Sequence, residues 1–146
     1  VTQNVDNLHE RGGSKRVIHM HGELSKARCG ACGVARAWER DLSVETRCPD
    51  CGADRFMRPD VVWFGEMPMF MDEIAVAIDA ADLFVSIGTS GNVYPAAGFV
   101  GEARSRGVPC MELNLEPSEN AWAFTDARYG RASEIVPAWV DAIMSS

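Results

Sequence analysis

Leu83-Phe84-Val85-Ser86-Ile87-Gly88-Thr89-Ser90 is a short apolar run that stops at a glycine and continues into two hydroxyl side chains. Its length and its branched and aromatic residues predict a strand with a polar tip. Upstream, Met71 to Ala81 sets Ile74, Ala75, Ile78 and Ala81 on one helical face, and Val61-Val62-Trp63-Phe64 predicts another strand. Downstream, Pro95 opens a helix to about Arg106 that Gly107 and Pro109 break. Pro109 to Leu115 then predicts a strand ending at Asn114, and Pro137 to Met144 a last helix. Strands alternating with helices define the α/β class, an open parallel sheet with helices on both faces. Ligands of such sheets bind beyond the carboxyl ends of the strands. Gly88-Thr89-Ser90 and Asn114-Leu115-Glu116 are therefore candidates for a ligand crevice.

Toward the amino terminus the pattern changes. From Cys29 to about Arg58 the residues are small, polar and charged, with no sustained apolar period, so this insert cannot build a hydrophobic core alone. It carries Cys29-Gly-Ala-Cys32 and Cys48-Pro-Asp-Cys51, two Cys-x2-Cys knuckles 15 residues apart, which is ribbon-type zinc spacing. Gly30, Gly33 and Gly52 are expected to relieve the turns. Four thiolates saturate tetrahedral zinc and leave no position for water or substrate, so Cys29, Cys32, Cys48 and Cys51 predict a structural zinc ion. The competing reading is a pair of disulfides or redox-active thiols. Cys110, inside Val108-Pro-Cys-Met-Glu-Leu, reads as a buried small hydrophobe. Ahead of the insert, Val17-Ile18-His19-Met20 between a Gly12-Gly13-Ser14 turn and His21-Gly22 predicts a strand with a polar tip.

The chain of 146 residues is 47% hydrophobic, enough for a genuine core. Its formal net charge of −7 argues against general affinity for phosphate backbones or anionic lipid. Direct nucleic-acid binding is not expected. No apolar run suited to membrane insertion or export is seen, and a cytoplasmic location is the expectation. The opening at Val1, directly in the polar stretch Thr2-Gln3-Asn4-Val5-Asp6, reads as the start of a fragment.

Taken in order, Thr2-Gln-Asn-Val-Asp-Asn-Leu-His9, His19-Met-His-Gly-Glu-Leu24, the four cysteines, Val61-Val-Trp-Phe-Gly-Glu66, Gly88-Thr-Ser90, Asn114-Leu-Glu116 and Gly130-Arg-Ala-Ser-Glu134 resemble the sirtuins, NAD-dependent protein-lysine deacylases. The resemblance runs from Val1 to about Met144 and is strongest to bacterial CobB-type members. It implies a Rossmann-like NAD domain incomplete at its N-terminus, contributed by residues 1–28 and 59–146, with a zinc module at 29–58. It implies NAD as cofactor, acyl-lysine proteins or peptides as substrates, and nicotinamide, free lysine and O-acyl-ADP-ribose as products.

Residue by residue, His21 corresponds to the family's general base toward a ribose hydroxyl, a task suited to imidazole. Gln3, Asn4, Val5 and Asp6 resemble the wall around the nicotinamide ribose and carboxamide. Gly88, Thr89 and Ser90 resemble a loop close to the cofactor, with Gly88 giving room. Asn114, Leu115 and Glu116 correspond to adenosine-ribose contacts and Ala132 to an adenine contact. The acyl-lysine peptide would add as a strand between Val62-Trp63-Phe64-Gly65-Glu66 and the region around Val93. At least one of Trp63 and Phe64 is expected in the core. His9 and His19 receive no catalytic role, His9 capping or packing and His19 lying deeper than His21.

The family's glycine-rich phosphate loop and its acyl-specificity Tyr and Arg belong upstream of Val1, so acetyl and succinyl preference are not legible, and the piece alone is expected to be inactive. Two other readings compete: a non-catalytic zinc-ribbon module that binds a protein, and an NAD-dependent ADP-ribosyltransferase.

Overall fold

The computed structural model describes residues 1–145 and divides into two compact units, Val1–Ile74 and the remainder from Ala75. The first unit holds α1 (Leu8–Arg11), β1 (Gly22–Cys29), β2 (Ala35–Ala37), β3 (Met57–Val61) and the start of α2 (Met71–Asp79). Its sheet has the order β2-β1-β3, antiparallel throughout. Gly22 pairs with Val61 and Cys29 with Met57, with an irregularity between Glu23 and Ala27. Thus β1 runs from the residue after His21 to the first cysteine. Pro59 fits β3 because this strand lies at the sheet edge, where a missing N–H costs no ladder bond.

Gly22 is required by geometry. Its φ of +80° is a left-handed conformation, and a Cβ there would run into the backbone carbonyl of Asp60. The buried Asp60 carboxylate accepts from Arg28 Nε at 2.7 Å, tying β3 to β1 a second time.

The expected strand at Val17–Met20 is not formed. His19 makes a single parallel bridge to Thr2, flanked by Thr2 N–H donating to the Ile18 carbonyl at 2.8 Å and Met20 N–H to the Thr2 carbonyl at 3.2 Å. An apolar run becomes a strand only where a partner continues beside it, and here the two segments meet for about one residue. The expected strand at Val61–Phe64 is displaced to Met57–Val61, because beyond Val61 the chain turns.

The second unit contains the rest of α2, β4 (Phe84–Ile87), α3 (Phe99–Ser105), β5 (Cys110–Asn114), β6 (Asp126–Tyr129) and α4 (Ala132–Met144), with 3-10 turns at Ala96–Gly98 and Ala121–Ala123. The sheet is parallel, in the order β4-β5-β6. Phe84 pairs with Cys110 and Met111 with Asp126. As the middle strand, β5 has Cys110, Met111, Glu112 and Leu113 all buried. Phe99, Val100 and Ala103 of α3 are buried with them. Cys110 is the interior hydrophobe its surroundings predict. The α/β reading holds here, but β6 was not foreseen, because Asp126-Ala-Arg-Tyr carries no apolar run; its pairing with β5 makes it a strand. Helix α4 begins five residues ahead of the predicted Pro137, which lies inside it. No helix of the described residues is long and apolar enough to cross a membrane.

Replacing Gly22 with Ala should destabilise the protein by about 2 kcal/mol or more, through the left-handed backbone and the collision with β3. Urea unfolding followed by tryptophan fluorescence measures this, and a loss near zero would refute the close approach.

Candidate metal centre and active site

The two knuckles fold alike because each closes with the same bonds. Gly33 N–H donates to the Cys29 carbonyl at 2.8 Å and Gly52 N–H to the Cys48 carbonyl at 2.9 Å; Cys29 and Cys48 in turn donate to Val34 and Ala53, both at 3.0 Å. Gly33 and Gly52 take φ of +75° and +73°, conformations that favour glycine. Gly30 differs from expectation: it has no such backbone requirement, and its N–H pairs with Phe56 across the ribbon.

These turns bring the sulfurs of Cys29, Cys32, Cys48 and Cys51 within 4.8 Å of one another. Cys29 to Cys51 and Cys32 to Cys48 are each 3.8 Å. That is far beyond the roughly 2.05 Å of a disulfide, and all five cysteines are free. A tetrahedron with zinc–sulfur bonds of about 2.3 Å has edges of about 3.8 Å. The electrostatics agree. The Cys32 N–H, with other donors, lowers the Cys29 thiol to about 7. Although the Ala53 N–H favours its thiolate, burial and the neighbouring sulfurs push Cys51 up to about 12. The neighbouring sulfurs thus oppose a thiolate at Cys51, and a divalent ion among them would supply the compensating charge. The four cysteines are positioned to hold zinc, and four thiolate ligands make the site structural.

Around His21 the structure brings together what the sequence proposed within the first unit. His21 Nδ1 lies 3.2 Å from the Gln3 carbonyl. A carbonyl only accepts, so Nδ1 carries a proton, and in the neutral ring Nε2 is the nitrogen with the lone pair. Gln3 and Val5 are half-buried, while Asn4 and Asp6 are exposed; Asp6 accepts from Leu8 N–H at 3.0 Å, closing a turn just ahead of α1. His19 is buried and lies deeper than His21, as expected. His9, on α1, is exposed rather than packed.

Segment 62–66 departs from expectation. Trp63 and Phe64 are both exposed, and neither is core. Their conformation comes from Arg58, a residue the sequence reading passed over. The Arg58 guanidinium grips both Glu66 oxygens at 2.6 and 2.9 Å, donates to the Val61 carbonyl at 2.7 Å and stacks 3.6 Å over the Trp63 ring. Glu66 also accepts from Trp63 N–H at 2.9 Å, and its own N–H returns to the Trp63 carbonyl at 2.9 Å. The turn is therefore clasped from both ends. Val62 is anchored by its N–H to the His21 carbonyl at 2.9 Å, which fixes the start of this segment beside His21. The only sequence signal was a cation eight residues before Glu66.

In the second unit the loops after β4 and β5 are stitched together. Asn114 Nδ2 donates to the Thr89 carbonyl at 2.7 Å, and Glu119 N–H to the Ser90 carbonyl at 3.0 Å. Asn114 Oδ1 accepts the Leu115 N–H at 2.9 Å, so this side chain works as a stitch between loops. Gly88 takes a φ of +63°, a conformation that favours glycine, and a Cβ there would touch nothing of the chain itself. Leu115, Glu116 and Ala132 are exposed beyond the strand ends, and Val93 is exposed on its own loop. Beneath the stitches lies a residue that no motif indicated. Glu112, fully buried on β5, accepts from Ser118 N–H at 3.2 Å and from the Tyr129 hydroxyl at 2.9 Å. That hydrogen bond, with burial and the carboxylate charge, raises the Tyr129 phenol. A charged residue inside the apolar run Cys110–Leu113 was the available signal.

The Sir2 family model matches residues 1–95, and the chain belongs to the Sir2 family. It is 58% identical over 145 residues to the NAD-dependent protein deacylase SIR2rp3 of Leishmania major, covering 99% of this chain and 60% of that protein. The NAD-dependent protein deacylase of Caulobacter vibrioides is 57% identical over 144 residues, with coverage of 99% and 60%, which bears out the likeness to bacterial members. The structure of a Sir2 homolog–NAD complex matches with a TM-score of 0.88 at 34% identity, over 98% of this chain and 57% of that one. The chain spans about three-fifths of the length of these curated relatives.

Metal analysis of the purified protein should find one zinc per chain, and Cys48→Ser should lose it. Amide exchange across residues 29–58 should then rise by at least about tenfold, since binding and folding of such modules are coupled; a zinc-free ribbon with native protection would contradict the assignment. The Arg58 guanidinium and the Trp63 N–H hold the Glu66 carboxyl down at about 2, from an ordinary 4.5. A depressed carboxylate stabilises the fold above its ordinary value and loses that contribution as pH falls through the folded one. The clasp should therefore persist as pH drops below 4.5 and open toward pH 2. A Glu66 carboxyl resonance titrating near 4.5 in folded protein would show that the clasp does not form.

Proposed function

We propose that the intact natural protein carrying this sequence is an NAD-dependent protein-lysine deacylase that releases nicotinamide and O-acyl-ADP-ribose. The observation that carries this reading is His21, whose Nδ1 is committed to the Gln3 carbonyl at 3.2 Å while Nε2 is left as an acceptor. It stands in a chain whose relatives are named NAD-dependent protein deacylases. A neutral imidazole held in one tautomer can take a proton from a hydroxyl at neutral pH, which is what a general base toward ribose must do.

Other roles follow from the same reading. NAD supplies the electrophilic ribose carbon when bound. Gln3, Asn4, Val5 and Asp6 would hold its nicotinamide end through amide and carboxylate hydrogen bonds. Gly88, Thr89, Ser90, Leu115, Glu116 and Ala132 would serve the adenosine side, with Asn114 positioning the loops. Segment Val62–Glu66, with the region of Val93, would receive the acyl-lysine peptide by strand addition, which relies on main-chain bonds and tolerates varied sequences. The solvent-facing Trp63 and Phe64 suit this role better than a core role. Residues 29–58 form the zinc module, and 1–28 with 59–146 the NAD-domain portion. We place the protein in the cytoplasm.

Incubation with an acyl-lysine peptide and NAD tests the proposal. Nicotinamide release with loss of the acyl mass from the peptide is expected. A peptide gaining the mass of ADP-ribose, or no nicotinamide release, would overturn it. His21→Tyr should lower kcat/KM by at least about a hundredfold, the scale of a lost general base; unchanged turnover would remove His21 from that role.

A further inference from the structure

His19 is a buried histidine to which neither the sequence nor the deacylase reading gives work. Its surroundings are specific. Nε2 lies 2.9 Å from Glu10 Oε1 on α1, and Nδ1 lies 3.2 Å from the Asn4 carbonyl. The ring is 5% exposed, whereas the Glu10 side chain is 43% exposed. The Asn4 carbonyl can only accept, so Nδ1 donates to it, and the hydrogen bond between His19 and Glu10 holds the Glu10 carboxyl below its ordinary range. The ring bridges α1, at Glu10, to the backbone of the Gln3–Asp6 segment, at the Asn4 carbonyl.

The place of this bridge matters. The segments 2–5 and 18–24 share backbone bonds at two points. Thr2 pairs with Ile18 and Met20 at one end, and Leu24 N–H donates to the Val5 carbonyl at 2.8 Å at the other. Between these points the Gln3 and Asn4 carbonyls are met by imidazoles, His21 on the first and His19 on the second. The two rings are two residues apart and hold successive carbonyls. His21 is the proposed base; His19 does the equivalent fastening one residue further along.

We infer that His19, oriented by Glu10, is a positioning residue that clamps the Asn4 carbonyl and thereby sets the segment proposed to hold the nicotinamide end of NAD. This rests on the deacylase reading for its functional consequence and on geometry alone for the clamp. Loss of the clamp should loosen the hold on NAD and on nicotinamide while leaving the peptide segment 62–66 untouched, because that turn is fastened separately by Arg58 and Glu66.

The test compares Glu10→Ala, His19→Gln and His19→Asn in the intact natural protein, by steady-state kinetics and amide exchange. In His19→Gln the amide nitrogen can reach Glu10 but not the Asn4 carbonyl; in His19→Asn it occupies the place of Nδ1. His19→Gln should raise the KM for NAD and the nicotinamide inhibition constant about tenfold with the peptide KM unchanged. His19→Asn should stay within about threefold of the wild type, and Glu10→Ala should shift both constants in the same direction by about three- to fivefold. Amide exchange over residues 3–6 should rise in His19→Gln and Glu10→Ala. If both leave NAD, nicotinamide and exchange at wild-type values, or if His19→Asn is as impaired as His19→Gln, the ring only fills space and the clamp is refuted. Should His19→Gln fail to fold, the exposed Glu10 decides through Glu10→Ala. A wild type without nicotinamide release would fail the deacylase reading, and exchange at residues 3–6 would still decide the clamp.

Discussion

Four sulfur atoms within 4.8 Å of one another impose the strongest constraint on this protein. Held as thiolates they repel, and held as thiols they offer little to an insert with no sustained apolar period of its own. A cation among them changes the sign of that interaction. The consequence reaches beyond the ribbon, because the first cysteine is also the last residue of β1, and β1 begins at the residue after His21. Strand β3 closes against it from Val61 to Met57 and delivers the chain into the 62–66 turn. The cysteine quartet, the sheet and the candidate base thus lie on one covalent and hydrogen-bonded frame.

Along that frame, side chains finish what the backbone starts. The regular ladder between the N-terminal segment and residues 18–24 is interrupted, and two imidazoles occupy the interruption. Beyond β3 the ladder stops, and Arg58 with Glu66 hold the turn that follows. In the second unit the loops after β4 and β5 are joined by Asn114 and by Glu119, above a buried Glu112. Apart from the bonds of Glu112, which lies within β5, these contacts are made where regular structure ends, which is where backbone donors and acceptors need other partners and where ligands are usually met.

Membership of the Sir2 family accounts for why these features occur together. It does not by itself say how a given side chain acts. The tautomer of His21 follows from the Gln3 carbonyl, the solvent-facing Trp63 from the cation stacked on it, and the fixed course of the 88–90 loop from an amide four residues after the start of β5.

The sequence by itself determined the cysteine quartet, the parallel α/β character of the second half and the buried Cys110, because each rests on spacing or on a local apolar period, and its ordered motifs carried the resemblance to the family. Tertiary structure decided the rest. Val17–Met20 and Asp126–Tyr129 exchanged their expected states because a strand is defined by its neighbour, and the neighbour lies far away in the chain. Neither Trp63 nor Phe64 is core, though at least one was expected there, because hydrophobicity does not reveal where a strand stops. Arg58, Glu112 and the pairing of Glu10 with His19 were invisible for the same reason: a charged residue has no period, and its meaning comes from the partner that folding brings to it.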